Sequence, residues 1–299
     1  MHDLTFYKVQ SLGNDLILLD WREEPIEKLA ALERLPEWSA WVRQVCHRHF
    51  GVGGDGILVL GSSAQGGLSC EMSMFNADGA RAEKCLNGVR CGLAYVMEET
   101  ARGDHVIRMG GVDYRLEASR FNTGESAEPA LVVPDVRCLG PRTVQLGGET
   151  LQGWCVDVGN PHFVLIGPYD REAIMRIGTA LQHHEDFPHG TNVEFLTRRS
   201  DDAPTSWELF LFERGCGPTL SSGSGCAAAM SVLREVGMIQ EGQRVRLQMP
   251  GGILISWWSE EKVYQKAPAI RVFRGVMEGL WDPEELPTVA LPSPDPHLV

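Results

Sequence analysis

Short apolar runs alternate with small-residue breaks along most of the chain. "LTFYKVQ", "DLILLD", "GILVL", "LSCEMSMF", "HVIRMGG", "VDYRLEA", "HFVLI", "NVEFLTR", "SWELFLFER", "RVRLQMP" and "GILISWW" are bounded by Gly, Pro, Asn or Asp, which is the pattern of short antiparallel strands. Helical spacing is rarer. It appears in "PIEKLAALERLPEWSAWVRQVCHRH" with a break near Pro36, in "DREAIMRIGTALQHH", and after Gly88, where Val89, Leu93, Val96 and Met97 share a face. A further helix is predicted after Gly225 in "CAAAMSVLREVGM". Its first two turns are apolar almost all round, as in a helix buried at the centre of a domain.

The two glycine-rich helix starts overlay. "CLNGV" at 85–89 lies on "SGSGC" at 222–226, an offset of 137, and nine residues before each stand Asn76 and Glu213. Earlier, "LGNDLILL" resembles "VGNPHFVL", which places Gly13-Asn14 over Gly159-Asn160. Three matches in one order predict a duplication: two similar halves facing each other across a cleft. The predicted class is α/β (α+β), with two pseudo-symmetric halves, each a curved, mostly antiparallel sheet around a central helix. From residue 282 the chain is proline-rich, "DPEELPTVALPSPDPHLV", and reads as a loose tail.

Composition narrows the function. A net charge of −13 with only five lysines argues against nucleic-acid and anionic-membrane surfaces. No run approaches the ~18 consecutive apolar residues of a membrane span, and "MHDLTFYKVQ" is not patterned as a signal peptide. Eight cysteines without a secretion signal point to reduced thiols in a cytoplasm. There is no CxxC, HExxH or tight Cys/His cluster, so no metal is expected.

Cys85 stands directly before Leu86-Asn87-Gly88 at a predicted helix N-terminus. Open N–H groups and the helix dipole there favour a thiolate, whereas Cys91, inside the helix, reads as core. Two such helix starts can grip one carboxylate through backbone N–H groups without a metal. Their cap side chains would then address opposite faces of the bound carbon, the geometry for removing a proton on one side and returning it on the other. Ser222 reads equally well as an N-cap. His162 and the adjacent Glu213 and Arg214 each have a structural reading as well as a functional one.

These residues resemble a known family. "SLGNDLILLD", "HRHFGVGGDGIL", "FNADGARAEKCLNGVRC", "GNPHFV", "TNVEF" and "ERGCGPTLSSGSGCAAA" are similar, in order, to the motifs of diaminopimelate epimerase, covering about residues 6 to 275. That family is a racemase with two catalytic cysteines and no pyridoxal phosphate. The resemblance implies no cofactor, a small amino-acid substrate, diaminopimelate, and a homodimer. It implies domains over 1–127 plus 268–299 and over 128–267. Cys85 takes the place of one catalytic cysteine and Ser222 the place of the other. Leu86, Asn87, Gly223 and Ser224 would supply the N–H groups that hold the reacting carboxylate. Asn14, Asn76, Asn160, Asn192 and Arg214 match positions that grip the substrate, and His162 and Glu213 match residues that assist near the reacting carbon. Three positions depart from the pattern: Leu86 replaces a glycine, Pro218 a glutamate, and Ser222 the second cysteine, while Cys216 and Cys226 align with small residues. A related racemase, isomerase or dehydratase with a different substrate, and a silent amino-acid-binding homologue, are the alternatives.

Overall fold

The structure is a computed structural model that describes residues 2–24, 34, 36–63, 70–101, 105–117, 130–199 and 205–281. The first part of the helical pattern before Pro36, the expected 127/128 boundary and the proline-rich tail lie outside these residues. The chain divides into two compact units, one of Met1–Ser11, Asp15–Asp113 and Ala269–Val299, the other of Leu12–Asn14 and Tyr114–Pro268.

The strands β1 (His2–Ser11) and β2 (Asn14–Trp21), in the first unit apart from Asn14, are joined through Leu12 and Gly13, at φ 53° and 82°. A two-residue turn with both φ positive matches the twist of the strands it joins. Helix α1 (Pro36–Cys46) opens on proline, whose missing N–H costs nothing at the first helical position. Strand β3 (Gly56–Gly61) pairs parallel with β2 and antiparallel with β4 (Cys70–Asn76). Helix α2 (Leu86–Thr100) follows, then β5 (Val106–Met109), parallel to β4. On one face Ile17, Leu19, Ile57 and Val59 meet Trp38, Trp41 and Val42 of α1. All six residues of β3 are buried, so the strand reads as an unbroken apolar run rather than an alternation. The last strand, β17 (Ile270–Trp281), pairs antiparallel with β1.

The chain leaves that unit through β6 (Val112–Glu117) and continues as β7 (Ala130–Val133), β8 (Arg137–Leu146), β9 (Glu149–Asp157) and β10 (Pro161–Ile166). Next come α3 (Arg171–Leu181), β11 (Asn192–Arg198), β12 (Ser206–Glu213), β13 (Gly217–Thr219) and α4 (Gly223–Glu235). Strands β14 (Val245–Met249), β15 (Gly252–Ser259) and β16 (Lys262–Lys266) finish the sheet. The pairings repeat those of the first unit: β10 with β11 parallel, β11 with β12 antiparallel, β12 with β14 parallel. Most other pairings are antiparallel, as the sequence predicts. Helix α4 is buried from Cys226 through Leu233, as its apolar circumference requires. Strand β8 was not legible in the sequence. It is largely exposed, is paired only with β9 among the described residues, and carries Gly140 and Pro141 at a register shift, which an edge strand tolerates.

Candidate active site

Each unit presents one helix start built the same way. At the first, Cys85 is the N-cap of α2, with extended backbone at φ −151°, and its Sγ accepts from the Gly88 N–H at 3.2 Å. Gly88 keeps this contact close, since a Cβ would stand 2.8 Å from Leu58 Cδ2 and 3.2 Å from Cys85 Sγ. Leu86 is turned into the core at 3% exposure. The Asn87 amide oxygen accepts from Arg90 at 2.9 Å, and the same guanidinium nitrogen donates to Ser11 Oγ at 3.1 Å. Asn87 thereby keeps its backbone N–H at the helix end while its side chain is held. Asn76 closes β4, and its N–H and C=O bond Ala80 and Gly79 across a tight loop. Asn14 opens β2, half-buried. Cys91 is core: burial pushes its thiol up to about 12.

The second unit repeats the device with oxygen. Ser222 is the N-cap of α4 at φ −140°, and its hydroxyl accepts from the Gly225 N–H at 3.2 Å. The Ser224 hydroxyl lies 3.3 Å away, and the Gly223 carbonyl is held by Gln265 at 2.7 Å. Neither nearby thiol reaches this cap. Cys216 is exposed in the turn after β12, and Cys226 is buried inside α4 with its Sγ 3.5 Å from Met249 Sδ. Neither residue brings a thiol to the α4 cap.

Beneath the α4 start lies a polar network. His162 is 2% exposed, with Nδ1 2.7 Å from Glu194 Oε1 and Nε2 2.9 Å from Asn160 Oδ1. Parallel pairing of β10 with β11 sets His162 opposite Asn192 and Val164 opposite Glu194. Glu213 ends β12. Burial pushes its carboxyl up, the Ser222 hydroxyl beside it pulls the other way, Glu194 adds to the upward push and His162 opposes it. The sequence motifs thus converge on Ser222, Glu213, His162 and Asn160. Glu194, which lies within "TNVEF" but was given no role there, is the carboxyl that meets His162.

Asn192 and Arg214 are placed differently from a pair of free substrate grips. The Asn192 side chain accepts from the Arg214 backbone N–H at 3.0 Å and donates to the Pro161 carbonyl at 2.9 Å, so it braces two segments of the site. Arg214 is exposed, and its guanidinium donates to the His189 carbonyl at 3.3 Å. No group of three or more His, Cys, Asp or Glu able to hold a metal occurs among the described residues. No described helix is long and apolar enough to cross a membrane.

Two α+β units, each with a capped helix start, define a fold found among epimerases and isomerases. The hydroxyproline epimerase of Agrobacterium vitis superposes with a TM-score of 0.67 at 10% identity, covering 92% of each chain. A methylitaconate-delta-isomerase superposes at 0.57 and 11% identity, covering 92% of this chain and 95% of that one. Sequence narrows the class. The profile of the diaminopimelate epimerase family matches residues 6–124 and 154–272. The diaminopimelate epimerase of Desulfitobacterium hafniense is 32% identical over 288 residues, 90% of this chain and 96% of that one. The Gloeothece citriformis enzyme is 34% identical over 295 residues, 92% and 99%. The chain belongs to the diaminopimelate epimerase family.

Proposed function

We propose that this protein is an isomerase that interconverts LL- and meso-diaminopimelate by cofactor-independent proton transfer at the α-carbon. The observation that supports this most is the repeated cap, Cys85 over α2 and Ser222 over α4, each accepting from the third helical N–H at 3.2 Å. Inversion needs one group on each face of the carbon, and Cys85 and Ser222 take these roles in the proposed reaction. The Cys85 thiolate takes the α-proton, and the electron pair left on carbon delocalises into the carboxylate. Helix-end N–H groups at Leu86, Asn87, Gly223 and Ser224 stabilise the charge that develops there. The proton returned to the other face comes from the Ser222 hydroxyl, which Glu213 re-protonates; burial favours the protonated carboxyl. Arg214, Asn14, Asn76 and Asn160 grip the substrate, several of them at its distal amino-acid end, and Asn192 supports that grip by bracing Arg214 and Pro161.

In the reverse direction Ser222 is the weak point, because an alcohol is a far poorer base than a thiol. Ser222→Cys is therefore the test. The rate of epimerisation, followed by proton NMR in D₂O with chiral analysis, should rise toward the ~10²–10⁴-fold range of a positioned acid–base group. An unmodified protein that already epimerises at a rate the substitution does not improve would overturn the two-cap reading. Cytoplasmic residence belongs to the same proposal, supported by the eight cysteines, none of which is in a disulfide. A homodimer does too, supported by the exposed row Ile270, Val272, Phe273 and Val276 on β17.

A further inference from the structure

Asn192 joins the Pro161 carbonyl to the Arg214 N–H through its side-chain amide. By strand register the first-unit counterparts of Pro161, Asn192 and Arg214 are Asp15, Gly56 and Ala77. Gly56 has no side chain to repeat that bridge, and a Cβ there would run into the Phe75 carbonyl oxygen. The same two points are joined all the same, by the backbone of Asp55. Its N–H donates to the Asp15 carbonyl at 2.8 Å, and its carbonyl accepts from the Ala77 N–H at 3.1 Å. A side-chain amide in one unit does what one residue's N–H and C=O do in the other. The residues directly before the clasped points are Asn160 and Glu213 in the second unit, and Asn14 and Asn76 in the first.

The first clasp has a further strut. Asp15 carries an N–H that Pro161 lacks, and it donates to Asp55 Oδ2 at 3.1 Å. At position 161 the proline ring holds φ by itself, so a carboxyl braces in the first unit what a ring braces in the second. Arg48 aims that carboxyl. One of its guanidinium nitrogens donates to Asp55 Oδ1 at 2.8 Å and to Asp15 Oδ1 at 2.6 Å. Lys8, itself buried, meets Asp15 Oδ2 at 2.6 Å and donates to the Gly53 carbonyl. Gly54 leaves room for both, since a Cβ would stand 3.0 Å from Lys8 Nζ and 3.1 Å from the Asp15 carbonyl oxygen. The Arg48 side chain is 57% exposed, and ion pairs that exposed add little stability. What they fix is a direction, that of the Asp55 acceptor toward the Asp15 N–H.

We propose that Asp55 is a positioning residue for substrate binding: it ties the segment after Asn14 to the segment after Asn76, and its carboxyl sets the Asn14 side by accepting the Asp15 N–H. The ligand as diaminopimelate, and the two asparagines as its grips, rest on the function proposed above; the hold on Asn14 does not. The experiment uses the full ¹⁵N-labelled chain, with Asp55→Ala to remove the acceptor and Asp55→Asn to keep it without the charge. The Asp55 side chain is 41% exposed, so truncation opens no core cavity. In Asp55→Ala the Asp15 amide should exchange with solvent at least about 10-fold faster, as the loss of its hydrogen bond allows. The Asn14 side-chain amide signal, assigned by its loss in Asn14→Ala, should shift in the same variant. Asp55→Asn should leave both as they are in the unmodified protein. Unchanged exchange and shift in Asp55→Ala overturn the proposal, as does equal disturbance in the two variants.

Calorimetry then tests the link to the ligand. Asp55→Ala should weaken meso-diaminopimelate binding about 3- to 30-fold, the range for one hydrogen bond, and Asp55→Asn should recover most of that loss. Combined with Asn14→Ala, the loss should be less than the product of the two single losses. Multiplicative losses overturn the coupling through Asn14. Absent binding by the unmodified protein, with the expected exchange and shift, would refute the diaminopimelate reading and leave the hold on Asn14 standing.

Discussion

The two helix starts are the same device resting on different foundations. Position by position, Leu16, Gly56, Leu58, Asn76 and Gly88 of the first unit correspond to His162, Asn192, Glu194, Glu213 and Gly225 of the second, through matching strand registers and helix positions. Both caps accept from the third helical N–H at 3.2 Å. Under Gly88 lies Leu58, wholly buried and apolar, whereas under Gly225 lies the Glu194 carboxyl. The duplication has kept the backbone geometry that offers N–H groups to an anion. It has not kept the layer beneath, which is hydrocarbon in one unit and a chain of ionisable groups in the other. Cys85 thus caps the apolar foundation and Ser222 the polar one, with Glu194 and Glu213 near it.

The largest test of that contrast is to move the acid. Leu58→Glu would put a carboxylate under Gly88 with Leu16 where the second unit has His162, and should cost about 3–5 kcal/mol, the penalty of an uncompensated buried charge. Urea unfolding reads it, and a loss below ~1 kcal/mol would show that the first foundation admits charge after all. Smaller is the pair of glycine substitutions. Gly225→Ala places a Cβ 2.6 Å from Leu211 Cδ2 and 2.9 Å from Glu194 Oε1, while Gly88→Ala meets Leu58 Cδ2 at 2.8 Å and Cys85 Sγ at 3.2 Å. Overpacking costs about 1–3 kcal/mol, offset by up to ~1 kcal/mol of helix propensity, and the second-unit variant should melt lower because the carboxyl must move as well. Equal melting temperatures would mean that both foundations yield alike.

The smallest effect is one of pH. Glu213 has its carboxyl raised above the ordinary value of 4.5 by burial. A group raised in the fold contributes stability that is fully present below its unfolded value and is lost as pH rises through its folded value. Stability of the unmodified protein relative to Glu213→Gln should therefore decline as pH climbs from 4.5, the glutamine mimicking the protonated acid and the neutral Asn76 of the other unit. A difference between the two that is flat with pH would remove Glu213 from the account of proton return.

Much of this was legible in the chain. The overlay of "CLNGV" on "SGSGC" marks two N-caps because cap chemistry is local: a small side chain with an acceptor, then glycine three residues on. Glu194 was not legible. In "NVEFL" it occupies the polar position of an apparent alternation, which places it in solvent. Strand β11 is instead covered on both faces, by α3 and by α4, and Asn192 through Leu196 are all buried. Periodicity cannot report a second covering layer that arrives two strands further along the chain. Strand β8 escaped for the opposite reason, having too little buried surface to impose any period.

The capping bond at Cys85 also bears on how the protein protects its own chemistry. In the proposed reaction the sulfur that takes the proton accepts beforehand from the Gly88 N–H, and an engaged electron pair is a blunter reagent than a released one. A carboxylate that docks on the helix end competes for that same N–H and, by taking it, hands the pair back to sulfur. Arrival of the right anion and arming of the thiol become one event. Between visits the most oxidisable group of the site is kept sheathed, at no expense beyond a bond the helix needed anyway.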